Sequence, residues 1–365
     1  MNTNTEQRLD AIQMCFLIGM GRSGTTLLTQ MLNVHEEMLA TPENRFVMTF
    51  WANYKNGGDI PIFKEQLATY YKAVQKNKKL TKTGNFMWDY QFDTLDELFN
   101  EFNSSKKIPA YSLLCKAFLL GLVCLGRDND RVKCIVDKNP DYSIWISHLL
   151  GIFPNAKFIV AVRDYRAVSC SKKYGADKRL MGKLFPLEFM WNKYYAYIER
   201  LTIQYPDRFL TIRYEDLTEA QETFIKQICN FLKVPFNPNI LLFHEHLEER
   251  LTAYKKETNN KLTDREHEKW GKLAKPVNTS RKDAWKTIMT EQEILFSEWW
   301  CGKAGLKYGY IPEKKLILLD KIKLAIIYFP KLIACFLMYY LLIVPYYYIP
   351  LSVRFGLIKL LKLRR

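Results

Sequence analysis

Gly19-Met20-Gly21-Arg22-Ser23-Gly24-Thr25-Thr26 keeps the frame of the phosphate-binding loop G-x-x-x-x-G-K-[ST], with a threonine where the lysine belongs. An apolar run at 14–18 leads into it. A helical pattern at 25–33 follows, with Leu27, Leu28, Met31 and Leu32 on one face. A strand that ends in a glycine turn offers successive backbone N–H groups to an anion, and the positive end of the next helix adds to the field. Without the lysine there is no point charge to clamp β- and γ-phosphates, while Arg22 returns a cation to the loop itself. Gly21, Arg22, Ser23, Gly24, Thr25 and Thr26 therefore read as a cradle for one phosphate or phosphosulfate group, not for a magnesium-bound triphosphate.

The stretch from Gly21 to His35, GRSGTTLLTQMLNVH, resembles the 5′-phosphosulfate loop of sulfotransferases that use 3′-phosphoadenosine 5′-phosphosulfate (PAPS). The nearest branch is that of tyrosylprotein sulfotransferases and related bacterial enzymes. Further segments carry the resemblance from residue 14 to about residue 300, in the family's order. Arg163, at the end of the apolar run 157–162, and Ser171, in the helical pattern that follows, are similar to the family's 3′-phosphate site. An arginine fork plus a hydroxyl suits a dianion. Thr41-Pro42-Glu43-Asn44-Arg45 resembles the branch's Glu-Thr-Arg, which implies Glu43 as the catalytic base and Arg45 as the residue gripping the acceptor. Asn44 departs from that pattern. Sulfuryl transfer to a hydroxyl needs a base near the acceptor oxygen, and a carboxylate beside two arginines stays ionised at neutral pH.

Val136-Asp137-Lys138-Asn139-Pro140 resembles the family's strand-end lysine, so Lys138 is expected to steady charge on the bridging oxygen as the sulfuryl group departs. Tyr214, in Ile212-Arg213-Tyr214-Glu215-Asp216-Leu217, matches another recurrent segment and is expected to touch the nucleotide. Residues 275–286, with Arg281, Lys282, Trp285 and Lys286, resemble the late loop that folds over the cofactor. The resemblance implies in-line attack by an acceptor hydroxyl on PAPS, with Glu43, Lys138 and Arg22 catalytic and no metal.

The elements that must position these residues alternate. Short apolar runs at 14–18, 132–136, 157–162 and 209–213 read as strands. Helical patterns lie at 111–125, 142–153, 166–174, 186–205, 218–232 and 241–269. Strands alternating with helices predict a three-layer α/β fold: a central parallel sheet with helices on both faces, P-loop-like and nucleotide-binding. The main domain is expected over 1–312. Residues 59–107, polar and aromatic, read as a helical insertion on the acceptor side, with Trp51, Tyr54, Trp88 and Tyr90 as lining.

Composition sets the outer limits. With 48% apolar and 25% charged residues in 365, the chain is a folded protein, not a disordered or disulfide-stapled one. The net charge of +16 points to anionic partners, yet half of it lies in the tail 313–365, with ten basic against two acidic residues. That distribution argues against nucleic acid as a partner. Eight scattered cysteines without a C-x-x-C pair, and an N-terminus without an apolar signal core, predict a cytoplasmic main domain.

The tail carries 22 uncharged residues at 332–353, interrupted by Pro345 and Pro350 and flanked by lysines and arginines. That pattern suits a re-entrant or in-plane segment on an anionic membrane surface better than a simple span. The protein is accordingly expected to be peripheral on the cytosolic face of a membrane. Its acceptor is then expected to be a glycan, a glycolipid or another lipid-linked hydroxyl compound. The alternatives are a tail helix packed on the domain or a homo-oligomer, such as a homodimer. The rival readings are a P-loop nucleotide kinase on a degenerate loop and a membrane-tethered nucleotide-binding protein without catalysis.

Overall fold

A computed structural model of the chain describes residues 5–76, 88–90, 93–102, 108–124, 129–174, 187–257, 270–271, 273–277, 279, 282–349 and 353–354. The strands are β1 (Gln13–Gly19), β2 (Met38–Thr41), β3 (Trp88–Tyr90), β4 (Leu122–Cys124), β5 (Cys134–Lys138), β6 (Lys157–Val162) and β7 (Phe209–Arg213). The first helices are α1 (Thr5–Ala11), α2 (Thr25–Leu32), α3 (Phe46–Tyr54), α4 (Ile60–Lys76), α5 (Asp93–Glu101), α6 (Tyr111–Leu120), α7 (Ile146–Ile152) and α8 (Tyr165–Lys173). Then follow α9 (Leu187–Gln204), α10 (Tyr214–Glu219), α11 (Gln221–Leu232), α12 (Phe243–Glu257), α13 (Trp285–Ile288), α14 (Glu291–Leu306) and α15 (Leu318–Met338).

The central sheet is parallel, in the order β2-β5-β1-β6-β7. Side chains alternate across a strand, and here both faces are covered. Phe16 and Ile18 of β1, with Phe158 and Val160 of β6, face a layer built from α6, α7 and α9. Cys15 and Leu17, with Ile159 and Ile212, face α2 and α11 through Leu28, Met31, Ile225 and Ile228. Burial on both sides explains why these strands read as continuous apolar runs. The register sets Gly19 beside Ala161, Thr41 beside Asp137 and Val162 beside Arg213, so the carboxyl ends of all five strands lie along one edge.

The expected three-layer α/β architecture is what the chain adopts. The strand expected at 132–136 runs two residues later. The helix expected at 111–125 stops at Leu120, where Gly121 precedes β4, and the one expected at 142–153 opens with a 3-10 turn, Pro140–Ile144. β2 adds a strand that no apolar run announces. Within 59–107, α4 and α5 are helical, but β3 also pairs antiparallel with β4. Ile60, Phe63, Leu67, Leu95 and Leu98 join the same apolar cluster as Phe46 and Phe50.

After α15 the tail continues through a π-helical turn, Tyr339–Ile343, and a 3-10 turn, Pro345–Tyr348. Leu324, Leu332, Cys335 and Tyr339 pack with Phe189 and Phe296, and Tyr347 enters the main core against Trp145. Arg354 is buried, donating to the Thr49 carbonyl of α3 beneath the rings of Tyr346 and Tyr347.

Candidate active site

The sheet order places the chemistry-bearing residues in a row. Glu43 and Arg45 follow β2, Lys138 closes β5, loop 20–24 follows β1, Arg163 follows β6 and Tyr214 follows β7. In an open α/β sheet this carboxyl edge is where ligands bind.

The loop after β1 is bent by left-handed residues: Gly19 at φ +127, Arg22 at +83 and Gly24 at +84. A Cβ on Gly19 would overlap the Ala161 carbonyl oxygen of β6, and one on Gly24 would lie 2.5 Å from the Tyr214 ring. At Gly21 the equivalent space is open. Arg22 has no such excuse. A non-glycine residue held there is a strain that the surroundings impose, and such strain gathers at functional sites. The surroundings can be named. Tyr195 of α9 accepts the Met20 N–H at 3.1 Å, donates to the Ala161 carbonyl at 2.7 Å, and lies 3.5 Å from the Ser23 hydroxyl. Ser143 accepts the Gly19 N–H at 2.9 Å.

One cluster gathers around Arg22. Its Nε donates to Ser171 Oγ at 3.0 Å, and its carbonyl accepts from Arg163 Nη1 at 3.1 Å. The Arg163 guanidinium lies 4.2 Å over the Tyr214 ring, which in turn sits against Gly24. Arg163, Ser171 and Tyr214, far apart in the chain, are thus brought to the loop. Thr25 is buried at the start of α2 and Thr26 half-buried beside it.

A second cluster lies on the neighbouring strands. Lys138 Nζ donates to Glu43 Oε1 at 2.8 Å, with the lysine side chain 2% exposed and the glutamate 32%. Arg45, in a left-handed cap at φ +56, turns instead to an ion pair with Asp141, which is also the main influence raising its pKa. The cation hydrogen-bonded to Glu43 is Lys138, and Arg45 lies near enough for its charge and that of Glu43 to interact.

Asp137 holds this second cluster in place. It is fully buried, and its Oδ1 accepts from Thr41 Oγ1 (2.9 Å), Asn44 Nδ2 (3.0 Å) and Asn139 Nδ2 (2.7 Å). Asn139 in turn accepts the Arg45 N–H at 3.2 Å, and Tyr70 donates to the Asn44 carbonyl. Burial pushes the Asp137 carboxyl up to about 7.

Lys282 lies farther out, paired with Glu219 at the end of α10, and Arg281 falls outside the described residues. Trp285 is buried, with the Arg166 guanidinium 4.0 Å from its ring. Trp51 and Tyr54 are buried too, Trp51 against His148 and Tyr348, so neither is open as acceptor lining. Trp88 and Tyr90 lie on β3.

The family profile described as "Sulfotransferase family" matches residues 15–238, more than half of the chain. The chain belongs to the sulfotransferase family. The matched span holds the loop, Glu43, Arg45, Lys138, Arg163, Ser171 and Tyr214, and stops short of Lys282 and the tail. The chain is 23% identical to protein-tyrosine sulfotransferase 1 of Danio rerio over 273 residues, which are 74% of this chain and 64% of that protein. It is 26% identical over 266 residues to an uncharacterized protein of Aquifex aeolicus, covering 71% of this chain and 30% of the other. It therefore spans less than two thirds of the length of these relatives. Among solved structures, it is similar to the sulfotransferase domain of the Synechococcus PCC 7002 olefin synthase. That match has a TM-score of 0.47 and 20% identity, and covers 87% of this chain and 94% of the other.

Several members of this site carry no sequence signal. Tyr195 is one aromatic among many on α9, and Ser143 lies in an unremarked 3-10 turn. Asp137 stands next to Lys138 in the quoted segment. Only the burial of its side chain and the donors around it reveal its part.

Proposed function

We propose that the protein transfers a sulfuryl group from PAPS to an acceptor hydroxyl and releases adenosine 3′,5′-bisphosphate. The observation that carries this reading is the row of strand ends, where a phosphate-type cradle and a Lys138–Glu43 pair lie on neighbouring strands. PAPS would bring an activated sulfuryl group whose leaving group is a phosphate. The fit is chemical: a strained loop with a cation, an arginine fork with a hydroxyl, and an aromatic ring packed between them.

On this reading Arg22 and the amides of loop 21–26 hold the 5′ side, and Arg163 with Ser171 holds the 3′-phosphate beside Tyr214. Glu43 takes the acceptor proton. Lys138, buried and fixed by Glu43, meets the charge left on the bridging oxygen, and such preorganised cations reduce transition-state charge without reorganising. Fixed cations suit this task because a transferring sulfuryl group carries less negative charge than a phosphoryl group. Arg45 orients the acceptor from the far side of Glu43. Lys282 and the late loop cover the nucleotide.

The acceptor we favour is a glycan or lipid-linked hydroxyl at an anionic membrane surface, because the tail bears a large exposed apolar face flanked by basic residues. Incubation of the protein with radiolabelled PAPS and fractionated membranes tests the reading. Label is expected in the lipid or lipid-linked fraction, and Glu43→Gln should reduce it by about 10²–10⁴-fold while adenosine 3′,5′-bisphosphate affinity persists. Label confined to soluble small molecules would refute the membrane acceptor. An undiminished Glu43→Gln would refute the assigned base.

A further inference from the structure

Thirteen of the twenty-three large hydrophobic residues exposed among the described residues lie between Ile317 and Leu342, an excess that demands a partner. α15 is apolar on two opposite stripes. Leu324, Leu332, Cys335 and Tyr339 recur at helical spacing and are buried against Phe189 and Phe296. Ile322, Ile326, Phe329, Ile333, Phe336 and Tyr340 recur at the same spacing on the outer side, each 44–71% exposed. Lys321 and Lys323 lie on either side of this outer stripe near its start, Lys193 of α9 donates to Tyr340 at its far end, and Lys331, over the Tyr328 ring, belongs to the side of the buried stripe. The one acid on the helix, Asp320, accepts the Ile317 N–H at its start.

We infer that the outer stripe of α15 and the turn Tyr339–Ile343 form an in-plane docking face for an anionic bilayer. The docked face carries the Glu43–Arg45 edge to the lipid interface. An apolar stripe rimmed by lysines is the pattern of helices that lie in the headgroup layer. A second copy of the chain fits less well, because the stripe has cations at both ends, Lys321 and Lys323 at one and Lys193 at the other, so a two-fold contact sets like charges together whichever way the helices run. A transmembrane span fits less well still. Leu324, Leu332, Cys335 and Tyr339 would have to leave their cluster, and Tyr347 and Arg354 would have to leave the core. The end of the tail also joins the face to the site: Tyr348 packs on Trp51 and Arg354 donates to the Thr49 carbonyl, both on α3, the helix that Arg45 caps.

The inference about the acceptor rests on the proposed sulfuryl transfer, whereas docking does not. Co-sedimentation of the full chain with phosphatidylcholine vesicles, with and without phosphatidylglycerol, tests docking. The protein is expected to bind the anionic vesicles and to be released by salt. Ile326→Glu with Phe329→Glu should weaken binding by at least about tenfold, and Lys321→Ala with Lys323→Ala should reduce the preference for anionic lipid. Thermal stabilisation by adenosine 3′,5′-bisphosphate, measured on the same variants, reports that they fold. Its failure in the wild type counts against the nucleotide cradle, not against docking. Docking is overturned if folded variants bind as the wild type does, or if the wild type ignores anionic vesicles and dimerises through this face. It is equally overturned if membrane-bound protein resists alkaline carbonate extraction as an integral span does.

Discussion

At the scale of single residues, Asp137 separates structure from catalysis most clearly. One carboxylate oxygen holds the turn that carries Glu43, and the other is buried with no hydrogen-bond partner among the described residues. Its carboxyl lies well above the ordinary 3.8, at about 7, because burial disfavours the charge. Between those values the unfolded chain has lost the proton and the folded one keeps it. This group's contribution to stability is therefore present below the ordinary value and is lost as pH rises toward 7. The thermal midpoint of the wild type, relative to Asp137→Asn, should fall between pH 4 and pH 8, as differential scanning fluorimetry would show. A pH-independent difference would contradict the assignment. Asp137→Ala, which strands three donors, should cost about 1–3 kcal/mol at any pH, against less for the isosteric amide. Lys138 and Arg163 stand out in the sequence because the segments around them resemble the family's strand-end segments. Asp137 does not, because an acid beside a lysine looks like an ordinary pair.

At the scale of elements, the glycines of the loop have different reasons to exist. Gly19 lies where a Cβ would meet the backbone of β6, which cannot give way, whereas Gly21 faces open space. Gly19→Ala should lower stability by about 3 kcal/mol or more, or leave the protein insoluble. Gly21→Ala should melt like the wild type yet bind adenosine 3′,5′-bisphosphate more weakly. Denaturant unfolding with ligand titration on both variants checks this, and equal stability of the two would contradict it. The same scale shows where sequence reading ends. β1, β6 and β7 are legible because strands buried on both faces appear as apolar runs. β2 is not, since Met38–Thr41 is four residues long and ends in a polar residue. Yet β2 carries Glu43 to the site, so its absence from the apolar pattern hides the reason Glu43 lies beside Lys138.

At the scale of the whole molecule, the tail is part of the fold as well as a surface. Arg354 reaches back to the Thr49 carbonyl, and its stem and guanidinium lie under two tyrosine rings. Arg354→Ala should destabilise the protein by about 1–3 kcal/mol through lost packing and a lost charged hydrogen bond. An unchanged midpoint would show instead that the tail merely rests on the surface. Composition and charge reveal the tail's apolar run and its basic flanks, but not that one stripe is occupied by Phe189 and Phe296. For Phe189 that depends on contacts more than a hundred residues apart in the chain.

The central claim is that the loop after β1, with Arg163 and Tyr214 brought to it by β6 and β7, grips an adenosine nucleotide carrying 3′ and 5′ charges. Isothermal titration of the full chain with adenosine 3′,5′-bisphosphate, without added metal, tests it most directly. Saturable one-to-one binding is expected, weakened by at least about tenfold in Arg163→Ala, where a charged fork to a phosphate is lost. No binding at millimolar ligand, or equal affinity in wild type and Arg163→Ala, would contradict the account.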